Sequence, residues 1–169
     1  MKIEDTVDMT YEEKAKDLFF QGYSCAQSVF CAFCDITGMD IDTAARISSS
    51  FGAGMGRLRE VCGAVSGMFM VAGMLYGYDD IEDPQLKKDH YARIQELAIQ
   101  YEEENGSIIC RELLGLKEHR SDPTPEPRTQ KYYQTRPCAD KVASAARIME
   151  QYIKMHPIME QRSADDAQV

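Results

Sequence analysis

The sequence predicts an all-α fold, a single-domain helical bundle around a central apolar, glycine-rich helix. Apolar residues recur at three- and four-residue spacing behind capping signals. No stretch alternates apolar and polar residues with β-branched enrichment. Residues 61–78 carry no charge at all, which marks the buried central helix. At 169 residues the chain is long enough to bury a core without covalent staples.

Each element has its own signal. Thr10 with Glu13 forms a capping box that opens a helix over 11–21, with Ala15, Leu18 and Phe19 on one stripe and an end near Gly22. Ser24 with Gln27 is a second box, opening 25–35, where Cys25, Val29 and Phe33 share a face and Thr37-Gly38 supplies the stop. Asp40 or Asp42 caps a third helix through Ala44, Ala45 and Ile47, before Gly52, Gly54 and Gly56 break the pattern. The apolar helix is expected from around Leu58, Arg59 or Glu60 to Gly77.

Pro84 suits the start of the next helix, which carries Leu86, Tyr91, Ile94, Leu97, Ala98 and Tyr101 before Asn105-Gly106 ends it. Ser107 caps a short helix holding Cys110, Leu113 and Leu114, closed by Gly115. Residues 117–136 are charged and contain Pro123, Pro125 and Pro127, so they read as a long surface loop. Pro137 suits an early helical position, and Val142, Ala145, Ala146, Met149 and Ile153 continue a last amphipathic helix to about Met155. This divides the chain into a flexible N-terminus (1–10), one helical domain with four cysteines (11–155) and a frayed tail (156–169).

Charge narrows the partners. With 28 acidic against 19 basic residues, the formal net charge of −9 repels nucleic-acid backbones and anionic lipid surfaces. Residues 61–78 are barely long enough to span a bilayer and contain four glycines, so membrane insertion is not expected. No basic, then apolar, leader opens the sequence, and a cytoplasmic, reducing location is the expectation. Clustered cysteines in that setting are more often ligands or redox groups than permanent disulfides.

Four of the six cysteines, Cys25, Cys62, Cys110 and Cys138, fall where the sequence reads as a first helical turn. Free N–H groups and the positive dipole end push a sulfur there toward the thiolate, the form that attacks disulfides and binds metals. Their spacings are too large and unequal for a local zinc knuckle, so only tertiary packing can gather them. Arg57 and Arg59 before Cys62, Arg111 after Cys110 and Arg136 before Cys138 are candidates to stabilise thiolates. The opposing reading makes each cysteine a small apolar group in the core.

Cys31 and Cys34 form a CxxC inside a predicted helix with no βαβ unit around it, which rules out a thioredoxin-like assignment and favours packing. In Cys62-Gly63-Ala64-Val65-Ser66-Gly67, glycines inside a helix need a compensating reason, since each costs about 1 kcal/mol against alanine. Close backbone approach is that reason. At Gly63 and Gly67 the approaching group is another helix, or a cofactor or peptide thiol lying against the Cys62 turn. Gly52, Gly54 and Gly56 miss the dinucleotide fingerprint. His90, His119 and His156 have no ligand-spaced partner and are expected on the surface.

The residues Gly22-Tyr23-Ser24-Cys25-Ala26-Gln27, Cys62-Gly63-Ala64-Val65-Ser66-Gly67, Cys110-Arg111-Glu112-Leu113-Leu114-Gly115 and Pro137-Cys138 together resemble the redox-active family named for four cysteines and a CGAxxG motif (C_GCAxxG_C_C). The resemblance covers about residues 11–153. It implies a redox role for Cys25, Cys62, Cys110 and Cys138, and carries nothing over to Cys31 or Cys34.

Two chemistries fit a converged set: thiols cycling to disulfides, as in a thiol oxidoreductase or electron-transfer protein, or a four-thiolate site for zinc or an iron–sulfur cluster. If thiols cycle without a cofactor, Cys62 or Cys25 is the expected attacking sulfur, beside a glycine-containing turn. Its partner would be a thiol, disulfide or electron-transfer protein. Serine at Cys62 or Cys25 is expected to abolish the chemistry, and Cys34→Ser to spare it. The rival reading is a non-enzymatic helical module that docks a protein through residues 117–136.

Overall fold

Two capping boxes set the first helices where the sequence puts them. The Glu13 amide donates to Thr10 Oγ1 at 3.2 Å while the Thr10 amide donates to the Glu13 carboxylate at 2.8 Å, opening α1 (Tyr11–Phe20). Ser24 and Gln27 repeat the exchange at the start of α2 (Cys25–Ala32). The computed structural model describes residues 8–158. Most of the expected N-terminal arm (1–7) and tail (159–169) lies outside them.

The helix expected over 25–35 is broken. Phe33, fully buried and stacked on Tyr11, sits at φ -100° and ψ 12°, and the chain restarts as the single turn α3 (Cys34–Thr37) before left-handed Gly38. Asp40 then caps α4 (Ile41–Ser48), accepting from the Thr43 amide.

A 3-10 turn (Ser49–Phe51) leads into α5 (Gly52–Met55), and α5 is no ordinary helix. Ala53, Gly54, Met55, Gly56 and Arg57 all have φ between 55° and 69°, so the chain makes a left-handed turn closed by the Gly56 amide donating to the Gly52 carbonyl at 2.8 Å. Non-glycine residues pay about 1–2 kcal/mol each for that handedness. Gly54 is obligatory for a second reason: a Cβ there would stand 2.6 Å from Cys110 Cβ and 2.8 Å from the Glu60 nitrogen.

The apolar helix α6 runs Gly63–Tyr76, later than the expected start. The intervening residues are not helical: Arg59 holds φ 60°, and Glu60 to Cys62 pair with a distant segment. Val61 and Ile109 form an isolated antiparallel bridge, the Cys62 amide donates to the Ile108 carbonyl at 2.7 Å, and the Cys110 amide donates to the Glu60 carbonyl at 2.6 Å. This bridge apart, the described residues contain no β structure. The first half of α6, from Gly63 to Met68, is buried all round.

Its glycines explain how close it lies to α2. A Cβ on Gly67 would meet the Ala26 carbonyl oxygen at 2.7 Å, and one on Gly63 would meet Cys25 Cβ and the Ala26 amide at 3.1 Å. The long α7 (Pro84–Asn105) follows, then α8 (Cys110–Leu113), α9 (Gln130–Thr135) and α10 (Cys138–Met155). Residues 117–136 are therefore not loop throughout; Thr129 accepts from the Tyr132 amide and caps α9. Ser107 does not cap α8 directly, since Ile109 holds that position and its amide donates to Ser107 Oγ.

The result is an all-α single domain. α1 packs on α10 and α2 on α6, with α10 also against α2, α6 and α7. Phe19, Val29, Phe33, Val65, Met68, Leu97 and Met149 fill the shared interior. No helix among the described residues is long and apolar enough to cross a membrane.

Candidate functional site

The four helix-start cysteines share one cavity. Cys25 is the first residue of α2, Cys110 of α8 and Cys138 of α10, while Cys62 stands one step earlier, capping α6. All four line a cavity of about 240 Å³, together with the Gly52–Met55 turn, Gly63 and the 125–136 segment. Cys62 and Cys110 are buried; Cys25 and Cys138 are half-buried. All six cysteines are free thiols.

Two backbone arrangements bring these distant sulfurs together. The packing of α2 on α10 apposes Cys25 and Cys138, near enough that each shifts the other's titration. The extended pairing of 59–62 with 108–111 places Cys62 beside Cys110 across the bridge. Gly63 and Gly67 divide: Gly63 touches α2 and also lines the cavity, whereas Gly67 lies against Ala26 and Val29 outside the lining.

Electrostatics separates the four thiols. The Cys138 thiol is pushed down to about 7, first by the hydrogen bond from Cys25, then by the Arg136 and Arg128 cations and a Tyr132 hydroxyl bond, against the opposing effect of burial. The Cys25 thiol is raised for the complementary reason, since it holds the proton that Cys138 shares, and burial adds to this. Burial also raises Cys62, in part offset by the Tyr101 hydroxyl 3.6 Å away and the Ala64 and Val65 amides. Burial raises Cys110, offset by the Arg59 guanidinium, whose Nη1 donates to the sulfur at 3.6 Å.

Arg57, Arg59 and Arg136, picked out by sequence adjacency, do line the cavity; Arg111 turns away to Glu60 at 3.1 Å. Sequence reasoning missed Arg128, Tyr132 and Tyr101. Arg128 lies in the proline-rich stretch, stacked over the Phe19 and Tyr132 rings, with its terminal nitrogens donating to the Phe19 and Tyr23 carbonyls. No local signal distinguished it from its charged neighbours.

Cys31 and Cys34 do not line the cavity. They contact one another, the Cys31 thiol donates to the Ile41 carbonyl at 3.9 Å, and burial raises both, Cys31 to about 12. His119 and His156 are exposed as expected, but His90 is half-buried, its Nδ1 2.9 Å from Arg93 Nη1.

Four thiols are a suitable donor set for zinc or an iron–sulfur cluster. Their spacing does not fit one: among the described residues no group of three or more His, Cys, Asp or Glu side chains is arranged to hold a metal ion. What the arrangement offers as it stands is one acidified thiol and one raised thiol side by side in the lining of a single cavity.

No curated protein and no solved structure matches the chain. One family model does, over residues 23–152, a span that includes all four cavity cysteines and the CGAxxG motif. The chain therefore belongs to the family described as "Putative redox-active protein (C_GCAxxG_C_C)".

Proposed function

We propose that this protein is a dithiol–disulfide oxidoreductase whose reacting pair is Cys138 and Cys25. The observation that carries the reading is the convergence of these two half-buried thiols in one cavity, at the starts of the packed helices α2 and α10, with Cys138 held acidic by Cys25 and by the Arg136 and Arg128 cations. A thiol with a pKa near the ambient pH is the best placed to attack a disulfide. Cys138 thus takes the role that a glycine-containing turn suggested for Cys62 or Cys25, both of which are raised.

The step balances without a cofactor. Cys138 thiolate attacks one sulfur of a disulfide R–S–S–R, breaking its S–S bond, forming a Cys138–S–S–R mixed disulfide and releasing RS⁻, which takes up a proton. Cys25 loses its proton and attacks Cys138 Sγ, expelling the second RS⁻ and leaving a Cys25–Cys138 disulfide. The protein dithiol is oxidised by two electrons and R–S–S–R is reduced to two R–SH. In the reverse direction the protein oxidises a dithiol partner. A reducing compartment such as the cytoplasm would keep the resting pair as thiols.

Anaerobic treatment of the reduced protein with bis(2-hydroxyethyl) disulfide, followed by peptide mapping, tests this. Expected is a Cys25–Cys138 disulfide with Cys31 and Cys34 still reduced, no reaction in Cys138→Ser, and arrest at a Cys138 mixed disulfide in Cys25→Ser. A native rate in Cys138→Ser would overturn the assignment. Six unreactive thiols would favour the rival reading of a docking module with packed cysteines.

A further inference from the structure

We propose that the cavity selects small sulfur compounds carrying carboxylates, so that the disulfide it exchanges with is an anionic one of low molecular weight. The inference rests on the thiol-exchange reading for its chemistry and on the charge of the cavity wall for its selectivity. Five cations line the cavity, Arg57, Arg59, Arg128, Arg136 and Lys141, against the single carboxylate of Glu126. That balance is the reverse of the chain as a whole, where acidic residues outnumber basic ones 28 to 19.

Among the described residues only one of the five makes an ion pair, although the Asp122 carboxylate also lies near enough to Arg57 to feel its charge. Arg136 pairs with Glu126, but none of the ion pairs among the described residues includes Arg57, Arg59, Arg128 or Lys141. Their hydrogen-bond partners are uncharged. Arg57 donates to the Asp122 carbonyl, Arg128 to two main-chain carbonyls, and Lys141 to the Asn105 side-chain oxygen at 3.0 Å.

Arg59 is the sharpest case. It is only 4% exposed, and its guanidinium donates to Ser121 Oγ at 2.9 Å and to the Cys110 sulfur, neither of them a carboxylate. A buried guanidinium without a counter-ion is costly, and an anion entering the cavity would relieve that cost. A low-dielectric cleft lined by one sign of charge also concentrates ligands of the other sign.

One thiolate at Cys138 cannot balance Arg59, Arg128 and Lys141, which make no ion pair among the described residues. With Arg57 they come from separate segments, the left-handed turn and the residues just after it, the 125–136 stretch and α10, and all line the cavity that holds the sulfurs. Cations from several walls of a cavity that also holds the thiol pair match a molecule with sulfur at its centre and carboxylates at its ends. The cavity volume and the burial of Cys62 and Cys110 favour a small molecule over the surface disulfide of a folded protein.

The test separates binding from exchange by using a thioether that cannot react. Calorimetric titration of the reduced, full-length protein with 3,3′-thiodipropionate, at fixed ionic strength, is compared with neutral thiodiglycol and with the dication bis(2-aminoethyl) sulfide. The dianion should bind at least tenfold more tightly than the neutral compound, the dication not at all, and the preference should shrink as salt rises. Arg57→Gln, on a half-exposed residue, should lower dianion affinity several-fold with the melting temperature unchanged; Arg59→Gln should lower it more if it folds.

Equal binding of dianion and neutral compound, or no binding of the dianion, overturns the inference even if bis(2-hydroxyethyl) disulfide oxidises the Cys25–Cys138 pair. If the dianion binds but no disulfide oxidises that pair, the exchange reading falls, and with it the claim that the ligand is a substrate.

Discussion

Cys25 and Cys138 face one cavity from the starts of two packed helices, and their mutual influence moves the two thiols in opposite directions. One becomes the more acidic thiol of the cavity and the other one of its most reluctant. In the exchange proposed above, a pair so divided would have its nucleophile and its resolving partner chosen before any disulfide arrives.

Alkylation should expose that division. The Cys138 thiolate is abundant above about pH 7 and is lost as pH falls through that value, so its rate with iodoacetamide should drop about tenfold per unit below the midpoint and plateau above it. Cys25→Ala removes the hydrogen-bond donor and Arg136→Gln removes a cation, and both should move the midpoint upward. Peptide-resolved alkylation rates across pH 5 to about 10 supply the check. A native midpoint where an ordinary thiol titrates would contradict the contact.

Two glycines of α6 should answer alanine with opposite signs. A Cβ on Gly67 runs into the Ala26 carbonyl, so Gly67→Ala should cost about 1–3 kcal/mol in urea unfolding of the reduced protein. Gly73 has nothing within 4 Å of its virtual Cβ, and Gly73→Ala should gain up to about 1 kcal/mol. Equal effects would mean that the α2–α6 approach is looser than described.

The left-handed turn yields a stabilising prediction. Ala53 and Met55 hold positive φ with L side chains. Replacing either with glycine should raise stability by about 0.5–1 kcal/mol, the relief of handedness exceeding the entropy that glycine adds to the unfolded chain. Thermal melts of both variants decide it, and a fall in melting temperature would place the side chains' packing above their backbone cost.

Oxidation should stabilise the fold. A Cys25–Cys138 bond closes a loop of roughly 110 residues, worth about 4–5 kcal/mol in the chain-entropy model. The oxidised protein should therefore melt higher than the reduced one, with the difference lost in Cys25→Ser. No difference would point to a native pair strained by the bond.

Much of this architecture is written locally. Thr10, Ser24, Asp40 and Pro84 set helix starts through their own side chains, so spacing alone places α1, α2, α4 and α7. The misplacements have long-range causes. Residues 58–62 read as helix, but Arg59 turns left-handed and Glu60 to Cys62 pair with the 108–110 segment, while Phe33, stacked on Tyr11, interrupts its helix. The cysteines were legible because each marks a helix start. Arg128 was not, because its place depends on the carbonyls of Phe19 and Tyr23, which no pattern near residue 128 encodes.

Gathering the sulfurs from opposite ends of the domain gives their chemistry a built-in condition. In an unfolded chain Cys25 and Cys138 would seldom meet, and each would behave as a solitary thiol, open to whatever encounters it first. Folding raises the local concentration of one sulfur around the other and supplies the acidity as well. The pair proposed to react would thus exist only in intact molecules, and a damaged copy would lose its selectivity at the moment it loses its shape.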